Sequence, residues 1–305
     1  MTAVALVSAR AARALDEDLP PLLAAFTAAG VQAQIADWDD EGVDWGRFDA
    51  ALLRSAWDYT ERLGEFLAWV ERTAALTRLL NPPAVVRWNS DKHYLAELAR
   101  QDLPIVPSRF CEPAEEPAAI LEEFLARCAE EELVVKPAVG AGSRDTRRHA
   151  RAAVPQILEH MRTLLGARRS VLLQPYLPSV DRDGETALIY IDGRLSHAIR
   201  KGPLLPRGVA ATAALFAPEE ISTRAAGADE RAVGARILAA LPCAPLLYAR
   251  VDLIRGAGGE PRLLELELTE PSLYFAHGAG AVEHLVRSTL ARLGERPHPP
   301  GYELM

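Results

Sequence analysis

Short apolar runs bounded by turn residues alternate with stretches of helical periodicity along most of the chain. Residues 2–8, with Val4-Ala-Leu-Val7 at their centre, read as a buried strand. Leu19 to Ala29 reads as a helix ended by Gly30, and Val31–Ala36 as the next strand. Phe48-Asp-Ala-Ala-Leu-Leu53 is a further apolar run. Glu61–Leu76 follows as a helix whose apolar face carries Phe66, Leu67, Trp69 and Val70. The order strand, helix, strand, strand, helix predicts a small parallel-sheet unit. Asn81-Pro-Pro83 punctuates its end, so this unit is assigned residues 1–90.

A second unit is assigned 91–175. A helix from Asp91 to Gln101 leads to Pro104-Ile-Val-Pro107, and another helix near Ala114–Cys128 follows. The strand Leu133-Val-Val135 ends in Lys136-Pro137 and a Gly-containing loop, Val139 to Asp145. A helix near Val154–Leu165 and a strand Val171–Gln174 complete the unit. The third unit, 176–305, opens at Tyr176. Asp192-Gly193, between Thr186–Ile191 and Leu195–Ile199, predicts a hairpin. A helix near Asp229–Leu241 comes next, and one near Ala279–Leu293 ends the fold. The Pro-rich tail after Gly294 reads as extended.

Between those last two helices lie two strands that carry chemistry. Arg250-Val-Asp252-Leu-Ile-Arg255 holds one carboxylate in an apolar setting. After a turn at Gly256–Gly259, Leu264-Glu265-Leu-Glu267 holds two at i and i+2, on one face of the strand. Antiparallel pairing can bring Asp252 beside them. Facing carboxylates repel and are costly to desolvate, a cost that a divalent cation between them offsets. Hard oxygen ligands with room for phosphate oxygens suit Mg²⁺.

Composition narrows the function class. The 305 residues are 49% hydrophobic and 25% charged, ordinary for a soluble globular protein. A net charge of −8 with no basic stripe argues against a nucleic-acid partner. Cys111, Cys128 and Cys243 show neither metal spacing nor a disulfide framework, which fits a reducing cytoplasm. No signal peptide or membrane span is expected.

Other candidates are weaker one by one. Lys136 at a strand end, and Lys92 at a helix start, would each alone be ordinary surface lysines. The small residues Gly140 to Ser143 shift Lys136 toward phosphate contact, because they let backbone N–H groups approach an anion. Gly140-Ala-Gly142 is neither a dinucleotide fingerprint nor a Walker loop: the third glycine and the Gly-Lys-Ser/Thr ending are both missing. Gln174-Pro-Tyr176-Leu177 joins two units, where a backbone linker can meet an adenine edge. Alternation sets His197 and Lys201 on one face and Arg200 on the other; cations there could bind a phosphoryl group or a substrate carboxylate. As a bland alternative, His197 is a core histidine. Arg54, Ser55 and Trp57 follow a strand's carboxyl end, where ligands of parallel sheets gather. The rival reading is a capping turn.

Together these parts resemble the ATP-grasp superfamily of carboxylate–amine ligases, over nearly the whole chain. The resemblance implies an α/β and α+β protein: an N-terminal α/β (pre-ATP-grasp) domain and two α+β subdomains that sandwich ATP. Glu265-Leu-Glu267-Leu-Thr-Glu-Pro-Ser272 looks like the family's Glu-x-Asn metal strand. It implies that Asp252, Glu265 and Glu267 hold Mg²⁺, with Glu267 standing where the family usually has Asn. Lys92 and Lys136 match the two nucleotide-binding lysines, and Gly140, Gly142 and Ser143 the small loop over the phosphates. Gln174, Tyr176 and Leu177 match the adenine hinge, and Asp181 is matched to ribose. Arg250 matches an arginine near the transferred phosphoryl group, with Arg200 and Lys201 as further catalytic cations. Arg54, Ser55, Trp57, Glu185 and His197 are left for a small amino-acid-like substrate.

A narrower resemblance, to the O-ureido-D-serine cyclo-ligases that make D-cycloserine, rests on several segments. They are Leu53-Arg-Ser-Ala-Trp57, Val86-Arg-Trp-Asn-Ser-Asp-Lys92, Leu173-Gln-Pro-Tyr-Leu177, Ser179-Val-Asp-Arg-Asp-Gly-Glu-Thr186, Ser196-His-Ala-Ile199 and Leu268-Thr-Glu-Pro-Ser-Leu273. The implied reaction activates a carboxylate as an acyl-phosphate for attack by nitrogen, with ATP and Mg²⁺ as cofactors and no Ser or Cys nucleophile. Joining two amino acids, stopping at a phosphorylated product, and binding ATP without turnover are the competing readings. Relatives of this kind are often dimers, so a homodimer is a candidate assembly.

Overall fold

The N-terminal apolar run becomes an inner strand of a parallel sheet in the computed structural model, which describes residues 1–203, 205, 219–242 and 246–294. β1 (Ala3–Ser8) leads through α1 (Leu19–Ala28) to β2 (Gln32–Asp37). β3 (Ala50–Ser55), α2 (Leu63–Ala74) and β4 (Arg78–Leu80) follow, and the strands lie in the order β2-β1-β3-β4. β3 is buried along its whole length, which is why it reads as a continuous apolar run. Gly30 ends α1 at a positive φ of 75° that favours glycine. α2 is shorter than expected because a 3-10 turn, Trp57–Glu61, precedes it. β4 is too short to leave a periodic signal. Asn81-Pro-Pro83 does not end the run of structure: Pro83 starts α3 (Pro83–Asn89), where its missing N–H costs nothing.

The second sheet is antiparallel. α4 (Tyr94–Ala99), β5 (Arg109–Cys111), α5 (Pro117–Arg127), β6 (Glu132–Pro137), β7 (Arg147–Ala150), α6 (Val154–Gly166) and β8 (Val171–Pro175) give the order β5-β8-β6-β7. β7 has no apolar alternation to announce it. It is recruited by pairing with β6, and Arg148 on it bridges Glu132 and Asp181.

The third sheet has five antiparallel strands. α7 (Ser179–Asp183) precedes β9 (Glu185–Ile191) and β10 (Arg194–Lys201), joined by the expected turn with Asp192 at φ 51° and Gly193 at φ 73°. β11 (Ile221–Thr223), α8 (Ala228–Ala239), β12 (Tyr248–Arg255), β13 (Pro261–Glu267) and α9 (Ala281–Gly294) complete the order β11-β10-β9-β12-β13. The tail after Gly294, and Cys243, lie outside the described residues. No described helix is long and apolar enough to cross a membrane.

The first and third sheets share one core. Val4, Leu6 and Phe26 cluster with Ile189, Ile199 and Leu285, and α9 packs on α1. Buried polar side chains stitch the same seam. Asn81 donates to the carbonyls of Tyr248 and Leu268 and accepts from the Leu247 amide. Asn89 does likewise with Leu266 and Leu268. Asp18 accepts the amides of Leu273, Tyr274 and Phe275 at 2.6, 3.0 and 2.9 Å.

Asn81→Ala leaves three buried backbone groups without partners, so it should cost about 3 kcal/mol of folding free energy. Urea denaturation of the variant beside wild type measures this; a loss under about 1 kcal/mol would mean that water replaces the side chain.

Candidate active site

The pairing of β12 with β13 lays down the floor of the site. Arg250 lies opposite Glu267 and Asp252 opposite Glu265, and β9 runs along the other side of β12. Lys201, at the end of β10, is opposite Glu185 on β9. The bulge between Asp252 and Leu253 resets the alternation, so Leu263 turns into the opposite, apolar layer while Glu265 and Glu267 stay on the charged face.

Charges taken out of water must be paired, and here most are. Lys201 meets Asp252 at 2.6 Å and Glu185 at 3.1 Å. Arg250 meets Asp252 at 2.9 Å, ion-pairs with Glu267 and donates to the Ser272 carbonyl at 3.1 Å. Lys92 contacts Glu265 at 2.9 Å and the Gly140 carbonyl at 2.6 Å. Burial alone would raise Asp252, but the Arg250 and Lys201 charges outweigh it and hold the carboxyl below its ordinary value. Glu265 is held low in the same way by Lys92 and Lys136, against burial.

Lys136 differs. It is buried and has no ion pair among the described residues. Burial pushes its ammonium down to about 8, with Glu265 opposing and Lys92 adding to the fall. An ammonium in that state gains most from an incoming anion.

Above this floor lies a cleft with about 1320 Å³ of free space, counting its open mouth. One end is walled by Val134, Ile254 and Leu264 with Gln174, Tyr176 and Leu177. The loop with Gly140, Gly142 and Ser143 also lines it. Gly142, Ser143 and Asp145 all have positive φ, which turns the loop sharply. Arg144 on that loop ion-pairs with Glu61 of the N-terminal unit, which holds the loop across the cleft.

Of the residues singled out from sequence, Trp57, Glu185, Lys201 and Arg250 also line the cleft, as do Lys92, Lys136, Glu265 and Glu267. Six stand off it. Arg54 is fully buried and donates to the Pro271 carbonyl at 2.6 Å, so the expected substrate contact is corrected to a structural one. Ser55, also fully buried, bonds the Ser8 hydroxyl. For Arg54 the strand end expected to be open is covered by the segment that carries Pro271; Ser55 is enclosed by the end of β1. His197 faces the Leu273 carbonyl at 2.9 Å, in line with the bland reading, and Arg200 donates to the Asp183 carbonyl at 2.9 Å. Asp181 accepts from the Tyr176 hydroxyl and ion-pairs with Arg148. Asp252 lies beneath Lys201 and Arg250.

Residues that sequence reasoning did not select also face the cleft. Tyr59 and Glu270 lie beside Trp57, and Asn89, Glu219 and Ser272 join them. Glu270 sits in the segment already singled out for its carboxylates, three residues after Glu267. Alternation beyond the strand end no longer tells which way it points.

Among the described residues no group of three or more His, Cys, Asp or Glu side chains is gathered to hold a metal by itself. The expected trio is instead shared out among Lys92, Lys201 and Arg250. Glu265 and Glu267 nonetheless stand on one strand face and both reach the cleft. Burial pushes Glu267 up to about 7; Arg250 opposes this and Asp252 and Glu265 add to it. Its side chain keeps 28% exposure, so it is only partly withdrawn from water. Surplus negative charge on hard oxygens fits a divalent cation such as Mg²⁺.

Known proteins resemble this chain in sequence and fold. The family model for the N-terminal domain of D-cycloserine synthetase DcsG matches residues 4–81. The chain is 44% identical over 280 residues to the cycloserine biosynthesis protein DcsG of Streptomyces lavendulae, covering 90% of this chain and 93% of that one. The crystal structure of D-cycloserine synthetase DcsG superposes with a TM-score of 0.90 at 41% identity, over 95% of this chain and 99% of that one. The ATP-grasp ligase PsnB, complexed with a phosphomimetic variant of its minimal precursor, Mg and ADP, shares the fold at a TM-score of 0.60 and 19% identity, over 95% and 99% of the two chains. The chain belongs to the D-cycloserine synthetase family of ATP-grasp ligases.

Proposed function

We propose that this chain uses ATP to activate the carboxylate of O-ureido-D-serine and closes it on a nitrogen of the same molecule, giving D-cycloserine. Family membership supports the reaction class. The observation that carries the site is Lys136: a buried ammonium with no ion pair among the described residues, lining the same cleft as Glu265 and Glu267. The carboxylate oxygen attacks the γ-phosphorus, ADP leaves, and the nitrogen then attacks the acyl carbon as phosphate departs. The product lacks the substrate's carbamoyl group, which is lost by hydrolysis as carbamate.

Each role follows from the chain's own groups. Lys92 and Lys136 neutralise phosphate charge, and the backbone of Gly140 to Ser143 approaches the same oxygens. Gln174, Tyr176 and Leu177 take the adenine end. Glu265 and Glu267 hold Mg²⁺, with Asp252 behind them orienting Arg250 and Lys201. When bound, Mg²⁺ supplies charge neutralisation on the transferred phosphoryl group. Arg250 faces that group and then the oxyanion of the second step. The loop tied by Arg144 to Glu61 excludes water, which would otherwise hydrolyse the acyl-phosphate.

Incubation with O-ureido-D-serine, ATP and Mg²⁺ should release ADP and give a product of D-cycloserine mass. ADP release only with pairs of amino acids, with condensed products, would replace cyclisation by intermolecular ligation. Glu265→Gln should raise the Mg²⁺ needed for half-maximal turnover by about tenfold or more, through loss of a charged ligand. Unchanged Mg²⁺ dependence would remove Glu265 from the cation.

The pH profile tests Lys136 separately. The protonated ammonium binds phosphate, so kcat/KM for ATP should fall as pH rises through about 8, the value to which burial brings this group. Lys136→Arg should flatten that alkaline limb, because arginine keeps its charge. An identical limb in the variant would assign the titration to another group.

A further inference from the structure

We propose that Glu270, backed by Tyr59 and flanked by Trp57, is the subsite that binds the substrate's ammonium group. The inference rests on the ligase reading above and adds the part of the substrate that does not react.

Most charged side chains in the cleft are already matched. Lys92, Lys201 and Arg250 are each committed to carboxylates on the floor. Glu185 is taken by Lys201, and Glu219 accepts from the Tyr274 hydroxyl at 2.6 Å. Glu270 is only 7% exposed, lines the cleft, and has no ion pair among the described residues. Its contact from a side chain is the Tyr59 hydroxyl, itself buried. A buried carboxylate left this way is costly unless a cation arrives with the ligand. Burial pushes Glu270 up to about 8, with Glu267 adding to the rise and Lys92 opposing it. The environment therefore disfavours the bare charge until a counter-charge comes.

The carboxylate is also held in position. The Trp57 indole donates to the Glu270 carbonyl at 3.1 Å, and Arg54 donates to the next carbonyl, Pro271, at 2.6 Å. That gives Arg54 its work, although it touches no substrate. Trp57 and Tyr59 line the same wall, and aromatic faces attract cations. An amino-acid substrate must aim its carboxylate at the phosphoryl end over Arg250 and Lys136. Its ammonium then needs a negative partner that is bound neither to the metal strand's cations nor to the metal. Glu270 meets that requirement.

Calorimetric titration with ADP and Mg²⁺ present would compare O-ureido-D-serine with its deamino analogue, in which hydrogen replaces the ammonium. Wild type should prefer the amine. Glu270→Gln keeps the shape and the Tyr59 acceptor but loses the charge, so the preference should shrink by about 10- to 100-fold while affinity for the deamino analogue stays unchanged. Tyr59→Phe should lose a smaller part of the same preference. Retained preference in Glu270→Gln, or no preference in wild type, overturns the proposal. So does a raised Mg²⁺ requirement with preference intact, which would put Glu270 on the metal. Equal loss of turnover on both compounds with binding unchanged also overturns it, in favour of proton transfer. ADP release by wild type reads the parent reaction independently: binding with amine preference but no turnover would sink that reaction and leave the subsite standing.

Discussion

Everything in the cleft depends on the antiparallel pairing of β12 with β13 and the ion pairs it sets up among Asp252, Arg250 and Lys201. Asp252 is 1% exposed and meets two cations within 3 Å. Buried charges of this kind add little to net stability once desolvation is counted. Their effect is to fix where each head group points. Arg250 is held between Asp252 and Glu267, which fixes its head group at the edge of the cleft. Glu265, opposite Asp252, and Glu267, opposite Arg250, both reach the cleft as well as pairing with Lys92 and Arg250.

Besides the cleft side chains of Trp57 and Tyr59, the N-terminal unit acts on the site through its backbone clamps. Asp18, Arg54, Asn81 and Asn89 hold the chain from Leu266 to Phe275 by its own backbone groups. The Tyr248 hydroxyl lies within 3.0 Å of the carbonyls of Leu53, Leu80 and Thr269, tying three segments at one point. Glu270 and Ser272 sit inside this clamped stretch. A surface loop would let them wander; a clamped one holds them at fixed distance from Arg250. This is why buried polar residues far from any phosphate shape what the cleft can bind.

Much of this was legible in the primary structure because it depends on local periodicity. The alternation of Glu265 and Glu267, the Asp192-Gly193 turn, and the apolar strands before Lys136 and Arg54 all follow from spacing alone. The failures share a cause as well. The carboxyl end of β3 is a reasonable place to seek ligand contacts, and Arg54 and Ser55 stand there. A segment more than 200 residues later covers it, through contacts such as Arg54 to Pro271 and Asp18 to Leu273. β7 was invisible because Arg147–Ala150 has no apolar pattern of its own. Arg200 and His197 pointed toward plausible partners only until Asp183 and Leu273 claimed them.

By itself the sequence determined which residues could carry charge into an apolar interior: the lysines at strand and helix ends, the paired glutamates, and the Gly loop between them. It determined the family too, since those segments keep their order and spacing. Only the tertiary structure decided which of the charges are spent on one another. Asp252 goes to Arg250 and Lys201, while Lys136 and Glu270, which line the same cleft, have no ion pair among the described residues. The reason is distance. Ion pairs and desolvation act over a few ångströms between atoms that are tens to hundreds of residues apart in the chain, and only folding sets those separations.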